Sequence, residues 1–298
     1  MKKEYKKAEN YVLKSFVPGE NFIFKDTPYE ILLSGKPISP AGEPKTDIYA
    51  KCKNLKNNEI KEFKISFKLP SADFVENKVK KYRAKELFGD EWKQILCNSI
   101  QKIKEKFVND SKYGIENENW KIKLGWRLDI INKNGGHKTS KLDLDYIQKY
   151  NVYSGDNLSK TKKNASVNGN IIQTSGVANF MLKAEPKKQN WSLQDIVDSL
   201  TPMEEFIKNS QTDLFLTARA VNYRTLKKEN GKYEIKFEHG RDLLVPINWK
   251  IENGFLSPKL VFNDPLELDS SRAAAYIQTL FDQLQINDST SFAKKVNF

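Results

Sequence analysis

The sequence predicts an α/β protein in which alternating β-strands are combined with amphipathic helices. Residues 47–53 and 60–68 alternate between polar and apolar side chains, a period of two that is typical of strands with one buried face. Residues 71–109 instead carry apolar side chains at helical spacing. From residue 213 onwards the alternation returns, which predicts a strand-rich C-terminal region.

The composition is that of a folded, basic protein. Hydrophobic residues make up 39% and aromatic residues 11% of the 298 residues, enough for a sizeable core. Lysine plus arginine exceed aspartate plus glutamate by 50 to 38, which gives a formal net charge of +12. This excess favours a polyanionic partner, nucleic acid before membrane, because no basic amphipathic anchor stands out. A lysine-rich surface that reflects an A/T-biased genome is the competing explanation.

Cysteine, histidine and hydropathy argue against several classes of protein. Cys52 and Cys97 lie on predicted apolar faces without C-x-x-C spacing, which argues against a zinc site and a disulfide framework. His137 and His239 have no partner motif, so a histidine-based hydrolase is not expected. Because the sequence contains neither a signal peptide nor an apolar run of membrane-spanning length, we expect a cytoplasmic protein without membrane contact.

The two alternating segments 47–53 and 60–68 predict a β-hairpin. Its turn is predicted to be centred between Asn57 and Asn58, because asparagine tolerates the positive φ values of a tight turn. This register places Asp47 opposite Lys68. Ser66 lies next to them on the same polar face. A carboxylate and an ammonium group are therefore expected to meet at the open end of the hairpin.

Glu62 and Lys64 form a competing acid and lysine pair on the second strand. In the predicted register they lie roughly 20 Å and 13 Å from the level of Asp47, at about 3.3 Å per residue. We therefore expect them to belong to a solvated face. Glu62 and Lys64 nevertheless remain an alternative to Ser66 and Lys68 as the working motif, since only the register argues against them.

The segment Pro44-Lys45-Thr46-Asp47, followed by Ser66-Phe67-Lys68, resembles the PD-(D/E)XK nuclease core that many type II restriction endonucleases share. The resemblance is confined to this hairpin and its neighbouring segments. It departs from the family pattern at Ser66, which stands where the family has a second carboxylate. The resemblance implies a mixed central β-sheet flanked by helices, with residues 1–110 as the catalytic core.

The resemblance also implies a Mg²⁺-dependent phosphodiester hydrolase. Asp47 and the main-chain carbonyl of Phe67 would bind the metal, since Mg²⁺ takes oxygen ligands. Lys68 would orient or deprotonate the attacking water and offset charge in the transition state, with Ser66 completing the catalytic motif. The alternative is an ordinary cross-strand ion pair. A further acid is expected, and the candidates are Glu43, Glu30 and Glu9.

Residues 111–298 are expected to complete the sheet and to supply elements for DNA recognition and dimerisation, without forming an independent domain. Arginine and asparagine can hydrogen-bond to base edges, and lysine attracts phosphate. The polar segment 154–170 is predicted to be a flexible loop that orders around DNA. The predicted DNA contacts are Arg219, Asn222, Tyr223, Arg224, Arg241, Lys162, Lys163 and Asn164. The alternatives are a buried arginine network with Asp213 and Asp242, and a plain solvent loop.

The leading hypothesis is a Mg²⁺-dependent, sequence-specific endonuclease that cleaves double-stranded DNA and resembles type II restriction enzymes. A homodimer is expected if the recognition site is palindromic, because protein symmetry then matches site symmetry. One alternative is a non-catalytic basic nucleic-acid-binding protein or phage accessory protein. The other keeps the nuclease core but acts on branched or single-stranded DNA, or on RNA.

Overall fold

A computed structural model describes residues 2–72, 74–185, 189–209, 212–240, 242, 244–262 and 269–296. The protein is a mixed α/β structure in which multi-stranded sheets are flanked by helices, as the sequence predicts. None of the described helices is both long enough and apolar enough to cross a lipid bilayer.

Helices and strands are interspersed along the whole chain. The helices are α1 (Lys2–Ser15), α2 (Lys81–Phe88), α3 (Trp92–Gln101), α4 (Lys104–Val108), α5 (Tyr146–Ser154), α6 (Lys160–Lys163), α7 (Leu193–Asp198), α8 (Met203–Asn209), α9 (Ser270–Gln283) and α10 (Ser289–Lys295), with a 3-10 turn at Gly89–Glu91. The strands are β1 (Asn21–Phe24), β2 (Thr27–Gly35), β3 (Ile48–Asn54), β4 (Ile60–Lys68), β5 (Phe74–Glu76), β6 (Tyr113–Glu116), β7 (Asn119–Ile131), β8 (Thr139–Lys141), β9 (Ser166–Val167), β10 (Asn170–Ile171), β11 (Phe180–Lys183), β12 (Thr201–Pro202), β13 (Phe215–Lys227), β14 (Tyr233–Lys236), β15 (Leu244–Glu252) and β16 (Phe255–Leu260).

The chain forms two compact units that interleave along the sequence. The first unit consists of residues 1–73, 86–89 and 144–212, and the second of residues 74–85, 90–143 and 213–298. The predicted segments 1–110 and 111–298 therefore each contribute residues to both units.

The first unit is built on a six-stranded sheet with the strand order β1-β2-β3-β4-β11-β12. Neighbouring strands are antiparallel, except that β4 and β11 run parallel. The sheet is therefore mixed. A separate two-stranded ribbon, β9 and β10, turns at Asn168 and Gly169, which both have positive φ.

The apolar core of this unit packs around Phe63 on β4. The ring of Phe63 lies 5.2–5.6 Å from four other aromatic rings, those of Phe22, Phe24, Tyr29 and Phe180. Helix α1 contributes Ala8 and Val12 to the same cluster, and Phe16, directly after the helix, joins them. The alternation predicted for β3 and β4 is confirmed on this face, since Ile48, Ala50, Cys52, Ile65 and Phe67 are also buried in the cluster.

Cys52 should resist thiol reagents as long as the protein is folded. Its side chain is fully buried, and burial raises the pKa of its thiol to about 12. Because the thiolate is the reactive form, we expect Ellman's reagent to modify Cys52 only after denaturation. Mass spectrometry of the native protein would locate the label. Rapid modification of Cys52 under native conditions would contradict its place in the core.

The β3–β4 hairpin turns one residue earlier than the sequence predicts. The Asn54 N–H donates to the Glu59 carbonyl at 2.8 Å, and Asn58 adopts a positive φ of 60°. The loop therefore spans residues 55–58 and is centred between Lys56 and Asn57. As a result, the observed register pairs Ile48 with Ile65 and is displaced by two residues from the predicted one.

Two other predicted segments differ from the structure. The helical pattern of residues 71–109 begins as the short strand β5, which pairs with β7, and the first helix starts only at Lys81. The predicted flexible loop 154–170 contains α6 and β9. In both cases long-range pairing or burial overrides the local composition.

The second unit contains a sheet with the strand path β14-β13-β7-β15-β16, to which β5, β6 and β8 add. Strands β7 and β13 span 13 residues each and form the longest ladder. Val221 pairs with Gly125 and Asn222 with Lys123, so Leu124 is an extra, bulged residue on β7. Gly125 has a φ of 154°, and a Cβ there would lie 2.5 Å from the Val245 carbonyl oxygen, so the close approach of β15 requires glycine.

Candidate active site

Asp47 and Phe67 are tied together where β3 begins. The Asp47 N–H donates to the Ile65 carbonyl at 2.8 Å. Its carboxylate oxygen Oδ2 accepts a hydrogen bond from the Phe67 N–H at 2.8 Å. The Phe67 carbonyl in turn accepts from the Tyr5 hydroxyl at 3.1 Å. The structure thus brings together the carboxylate and the carbonyl that the sequence predicts as metal ligands.

Tyr5, on α1, links this pair to Lys68 and to two further acids. The Lys68 ammonium lies 6.0 Å from the centroid of the Tyr5 ring. Burial raises the pKa of the Tyr5 hydroxyl, and the charges of Asp47, Glu9 and Glu43 and a hydrogen bond with Asp47 raise it further. Tyr5 therefore stays protonated near neutral pH and acts as a hydrogen-bond donor at the centre of the cluster.

Glu9 is the buried acid of this cluster. Glu9 lies one turn of α1 beyond Tyr5 and is only 4% exposed. Its carboxylate forms an ion pair with Lys36. Burial alone would lower the pKa of Lys36, but the hydrogen bond and charge of Glu9, aided by Asp47, outweigh it and the pKa is raised. The site therefore combines the buried carboxylate of Glu9 with the ammonium groups of Lys36 and Lys68.

The structure corrects the predicted pairing of Asp47 with Lys68. In the observed register the pair that follows Ile48–Ile65 towards the open end is Asp47 and Ser66. Asp47 and Lys68 both lie within the described residues, and they form no ion pair with each other. Lys64 and Lys68 are each two residues from the level of Asp47, so the register does not choose between them.

Contacts distinguish Lys64 from Lys68. The Lys64 ammonium lies 3.1 Å from the Thr174 hydroxyl and 3.7 Å from Glu62. Glu62 also accepts a hydrogen bond from the Tyr49 hydroxyl at 2.5 Å. Glu62 and Lys64 thus form a separate cluster with Tyr49, whereas Lys68 lies beside Tyr5 and the Asp47 site.

Ser66 was predicted as a catalytic residue, and the structure places it in the interior. It is 2% exposed and lies opposite Met181 on the neighbouring strand β11. Ser66 is therefore a buried residue of β4.

The three candidates for the further acid are found in different places. Glu9 is buried beside Tyr5, and Glu43 is exposed but close enough for its charge to raise the pKa of Tyr5. Glu30 pairs with Lys53 at 3.1 Å, at the turn end of the hairpin. Lys53 is six residues from Asp47, or about 20 Å along an extended strand. The structure therefore does not bring Glu30 into the site.

The oxygen atoms of this site are of the chemical type that Mg²⁺ binds. Mg²⁺ binds oxygen and usually retains several waters, so it needs few protein ligands. The Asp47 carboxylate and the Phe67 carbonyl are two such donors, and the Glu9 charge lies nearby. Within the described part of the chain, no three histidine, cysteine, aspartate or glutamate side chains are close enough to hold a metal ion. Water would therefore supply most of the coordination.

The predicted DNA contacts between residues 162 and 164 are engaged within the first unit. Lys162 is 5% exposed, and its ammonium lies 2.9 Å from a carboxylate oxygen of Glu86. Lys163 donates to a main-chain carbonyl at 2.7 Å, and Asn164 accepts from the Thr174 N–H at 3.0 Å. Lys162 is therefore a structural residue, because its buried charge already has a partner.

Tyr223 is likewise a core residue instead of a DNA contact. It is 2% exposed, its hydroxyl donates to Gln278 at 2.5 Å, and its ring stacks 6.2 Å from that of Phe237. In a strand that alternates between two faces, Tyr223 faces the interior, whereas the next residue, Arg224, is exposed. Arg241 lies outside the described residues.

Arg219 and Asn222 are the other predicted base-reading residues. The Arg219 side chain is 53% exposed, and its Nε lies 3.4 Å from Oδ2 of the fully buried Asp129. Asn222 is half-buried, and its Oδ1 has no hydrogen-bond partner among the described residues. Arg219 does pair with an aspartate, but the arginine is half-exposed and the acid is Asp129 instead of Asp213 or Asp242.

The two acids predicted for that network have other partners. Asp213 forms an ion pair with Lys141, and the Asp242 carboxylate accepts from the Lys81 N–H at 3.3 Å. Asp129 was not singled out from the sequence. Its spacing from Arg127 in the alternating strand β7 was the available signal, since residues two apart share a face.

Sequence reasoning also missed Tyr5 and Lys36. Tyr5 and Glu9 are four residues apart on a predicted helix and so share one face, which could have linked Glu9 to a second polar group. Lys36 stands alone between a glycine and a proline, and no local pattern identifies it. Comparisons with protein-family models, with curated proteins and with solved structures found no match to this chain.

Proposed function

We propose that this protein is a Mg²⁺-dependent nuclease whose active site lies around Asp47. The observation that carries the proposal is the convergence of the Asp47 carboxylate, the Phe67 carbonyl and Lys68 on the hydroxyl and ring of Tyr5. The order α1, a meander of antiparallel strands, and a strand parallel to β4 is compatible with a restriction-endonuclease-like core. The basic composition favours DNA as the substrate.

In this proposal, each residue of the cluster has a separate task. Asp47 and the Phe67 carbonyl would hold the cation, with Glu9 nearby as a buried acid whose charge is offset by Lys36. Bound Mg²⁺ would supply an acidified water and stabilise charge on the phosphate. Lys68 would orient the attacking water and offset negative charge as the bond breaks. Tyr5 would hold the two oxygen ligands at a fixed separation through its hydroxyl.

The proposed substrate is double-stranded DNA, cleaved at a specific sequence by a homodimer in the cytoplasm. Arg219 and Arg224 remain the exposed arginines of the predicted recognition segment within the described residues. Arginine bridges the two acceptors of guanine in the major groove, so these residues would read sequence. Lys163 and Asn164 would contribute only if DNA displaced their present hydrogen bonds.

Plasmid cleavage tests the proposal directly. Purified protein is expected to nick or cut plasmid DNA with Mg²⁺ and to leave it intact with EDTA. Lys68→Ala should lower the rate by about 100-fold or more, because transition-state charge loses its counter-charge. Lys56→Ala is the matched control, since Lys56 lies in the hairpin loop at the far end of β3 and β4. Equal cleavage by the wild type and Lys68→Ala would refute the assigned site.

The second candidate function is nucleic-acid binding without catalysis, as in a phage accessory protein. It is favoured by the net charge of +12, which attracts a polyanion whether or not the protein cleaves it. It predicts salt-dependent binding to DNA or RNA and no metal-dependent product. Parallel assays with branched DNA, single-stranded DNA and RNA would separate both candidates from a nuclease with another substrate.

A further inference from the structure

A groove of about 550 Å³ lies in the second unit between α9 and the strands β15 and β16. Its volume is in the range of ligand pockets, which is about 300–1,000 Å³. The floor is apolar and includes Leu124, Trp249 and Ile277, which are all buried. Trp249 is fixed by a hydrogen bond from its indole nitrogen to the Lys123 carbonyl at 2.8 Å. The groove is therefore a formed feature of this unit.

Strand geometry explains why the groove opens here. Strand β15 pairs with β7 through residues 244–246 and continues its ladder with β16 through residues 247–252. Strands β15 and β7 separate next to the bulged residue Leu124 on β7. Bulges commonly occur beside binding sites, because they separate strands and redirect side chains. Helix α9 covers the gap without filling it.

The rim of the groove is basic and carries an exposed aromatic ring. Lys250, Lys259 and Arg272 line it, and no acidic side chain is among its described lining residues. Lys250 pairs with Glu252 outside the lining, whereas Lys259 and Arg272 form no hydrogen bond or ion pair with any residue that the structure describes. Tyr276 is 52% exposed and stands one helical turn from Arg272.

We propose that this groove binds one nucleotide unit, with the base on Tyr276 and the phosphate between Arg272 and Lys259. Charge complementarity selects a phosphate-bearing ligand, since the rim presents three cations and, among the described residues, only Lys250 forms an ion pair, with the nearby Glu252. The exposed ring beside an apolar floor selects a planar aromatic group, and single-stranded nucleic acids are bound by this combination of stacking and cationic side chains. The site is independent of the proposed nuclease centre and remains even if that centre is inactive.

The test measures binding of fluorescently labelled oligothymidine to the full chain in EDTA, where cleavage cannot occur. Tyr276→Ala is expected to weaken binding about fivefold or more, and Tyr276→Phe should retain it because the ring is kept. Lys259→Ala and Arg272→Ala should each reduce the slope of log K against log salt by about 0.7. Lys232→Ala, an exposed lysine of the same unit, is the charge-matched control and should bind like the wild type, within about twofold.

Competition identifies the source of the ligand. If thymidine monophosphate competes as well as the oligonucleotide per nucleotide, the site takes free nucleotides. If only the oligonucleotide competes, the site takes a nucleic-acid strand. Competition by inorganic phosphate without any contribution of the base would overturn the proposal, as would equal binding by the wild type, Tyr276→Ala and Lys259→Ala. Absence of binding by the wild type would overturn it too.

Discussion

Replacing Asp47 with asparagine is expected to lower Mg²⁺-dependent DNA cleavage by about 100-fold to 1,000-fold, because the cation would lose its principal charged ligand. Asparagine keeps an oxygen that can accept the hydrogen bond from the Phe67 N–H, which Asp47 accepts at 2.8 Å. The fold should therefore be retained, and the loss of cleavage should come from weaker binding of the cation. Cleavage rates at several Mg²⁺ concentrations, together with the thermal unfolding midpoint, would measure both effects.

Asp26→Asn provides the matched control for this experiment. Asp26 is an exposed residue of the turn between β1 and β2 in the same unit, and asparagine suits its positive φ of 59°. This variant should cleave like the wild type. If Asp47→Asn keeps full activity and the same Mg²⁺ dependence, Asp47 is not a metal ligand. If Asp47→Asn unfolds, the asparagine oxygen does not replace the carboxylate as the acceptor for the Phe67 N–H.

Replacing Asp110 with asparagine is expected to lower the free energy of unfolding of the second unit by about 2 kcal/mol. The Asp110 carboxylate lies 2.8 Å from the Lys123 ammonium, 2.9 Å from that of Lys138 and 2.9 Å from the indole nitrogen of Trp126. Burial raises its pKa, but these hydrogen bonds outweigh burial and lower it from 3.8 to about 2. A shift of that size corresponds to about 2 kcal/mol.

The stability difference between the wild type and Asp110→Asn should disappear as the pH is lowered. Because the folded-state pKa of Asp110 is depressed, its contribution is fully present above pH 4 and is lost as the pH falls towards 2. Wild type and Asp110→Asn should therefore differ at pH 7 and converge near pH 2. Urea unfolding followed by tryptophan fluorescence would measure this, since four of the five tryptophans belong to the second unit.

Asp90→Asn is the control for the stability experiment. The Asp90 side chain is 96% exposed, and its partner Lys85 lies 3.6 Å away, so the exposed pair should contribute little. A similar loss of stability in Asp90→Asn and Asp110→Asn would show that the Asp110 cluster has no special role. A pH-independent difference for Asp110→Asn would contradict the assigned pKa.

The strands could be predicted where alternation is strong, and the partners that complete them could not. Strands β3 and β4 follow directly from the apolar residues that alternate along them. Their register depends on the Asn54 side chain, which accepts from the Lys56 N–H at 2.8 Å and helps to end the strand early. The parallel partner β11 is separated from β4 by residues 69–179. No local pattern specifies such a distant pairing, because it depends on packing of the whole unit.

The candidate site could be predicted in part for the same reason. Asp47, Phe67 and Lys68 come from one hairpin, and their proximity follows from local geometry even though the register differs by two residues. Glu9 and Tyr5 enter from α1, and Lys36 enters from the end of β2. Lys162 and Tyr223 looked available because lysine and tyrosine are often exposed, but their burial is set by tertiary contacts that composition does not reveal.

The interleaving of the two units has a consequence for synthesis on the ribosome. Strand β4 emerges early, but β11, its parallel neighbour, follows only after residue 179. Until then the growing chain carries an open strand edge bordered by Phe63, Ile65 and Phe67, and such edges invite aggregation. The nascent N-terminal segment is therefore the part of this protein for which chaperone protection during translation would matter most.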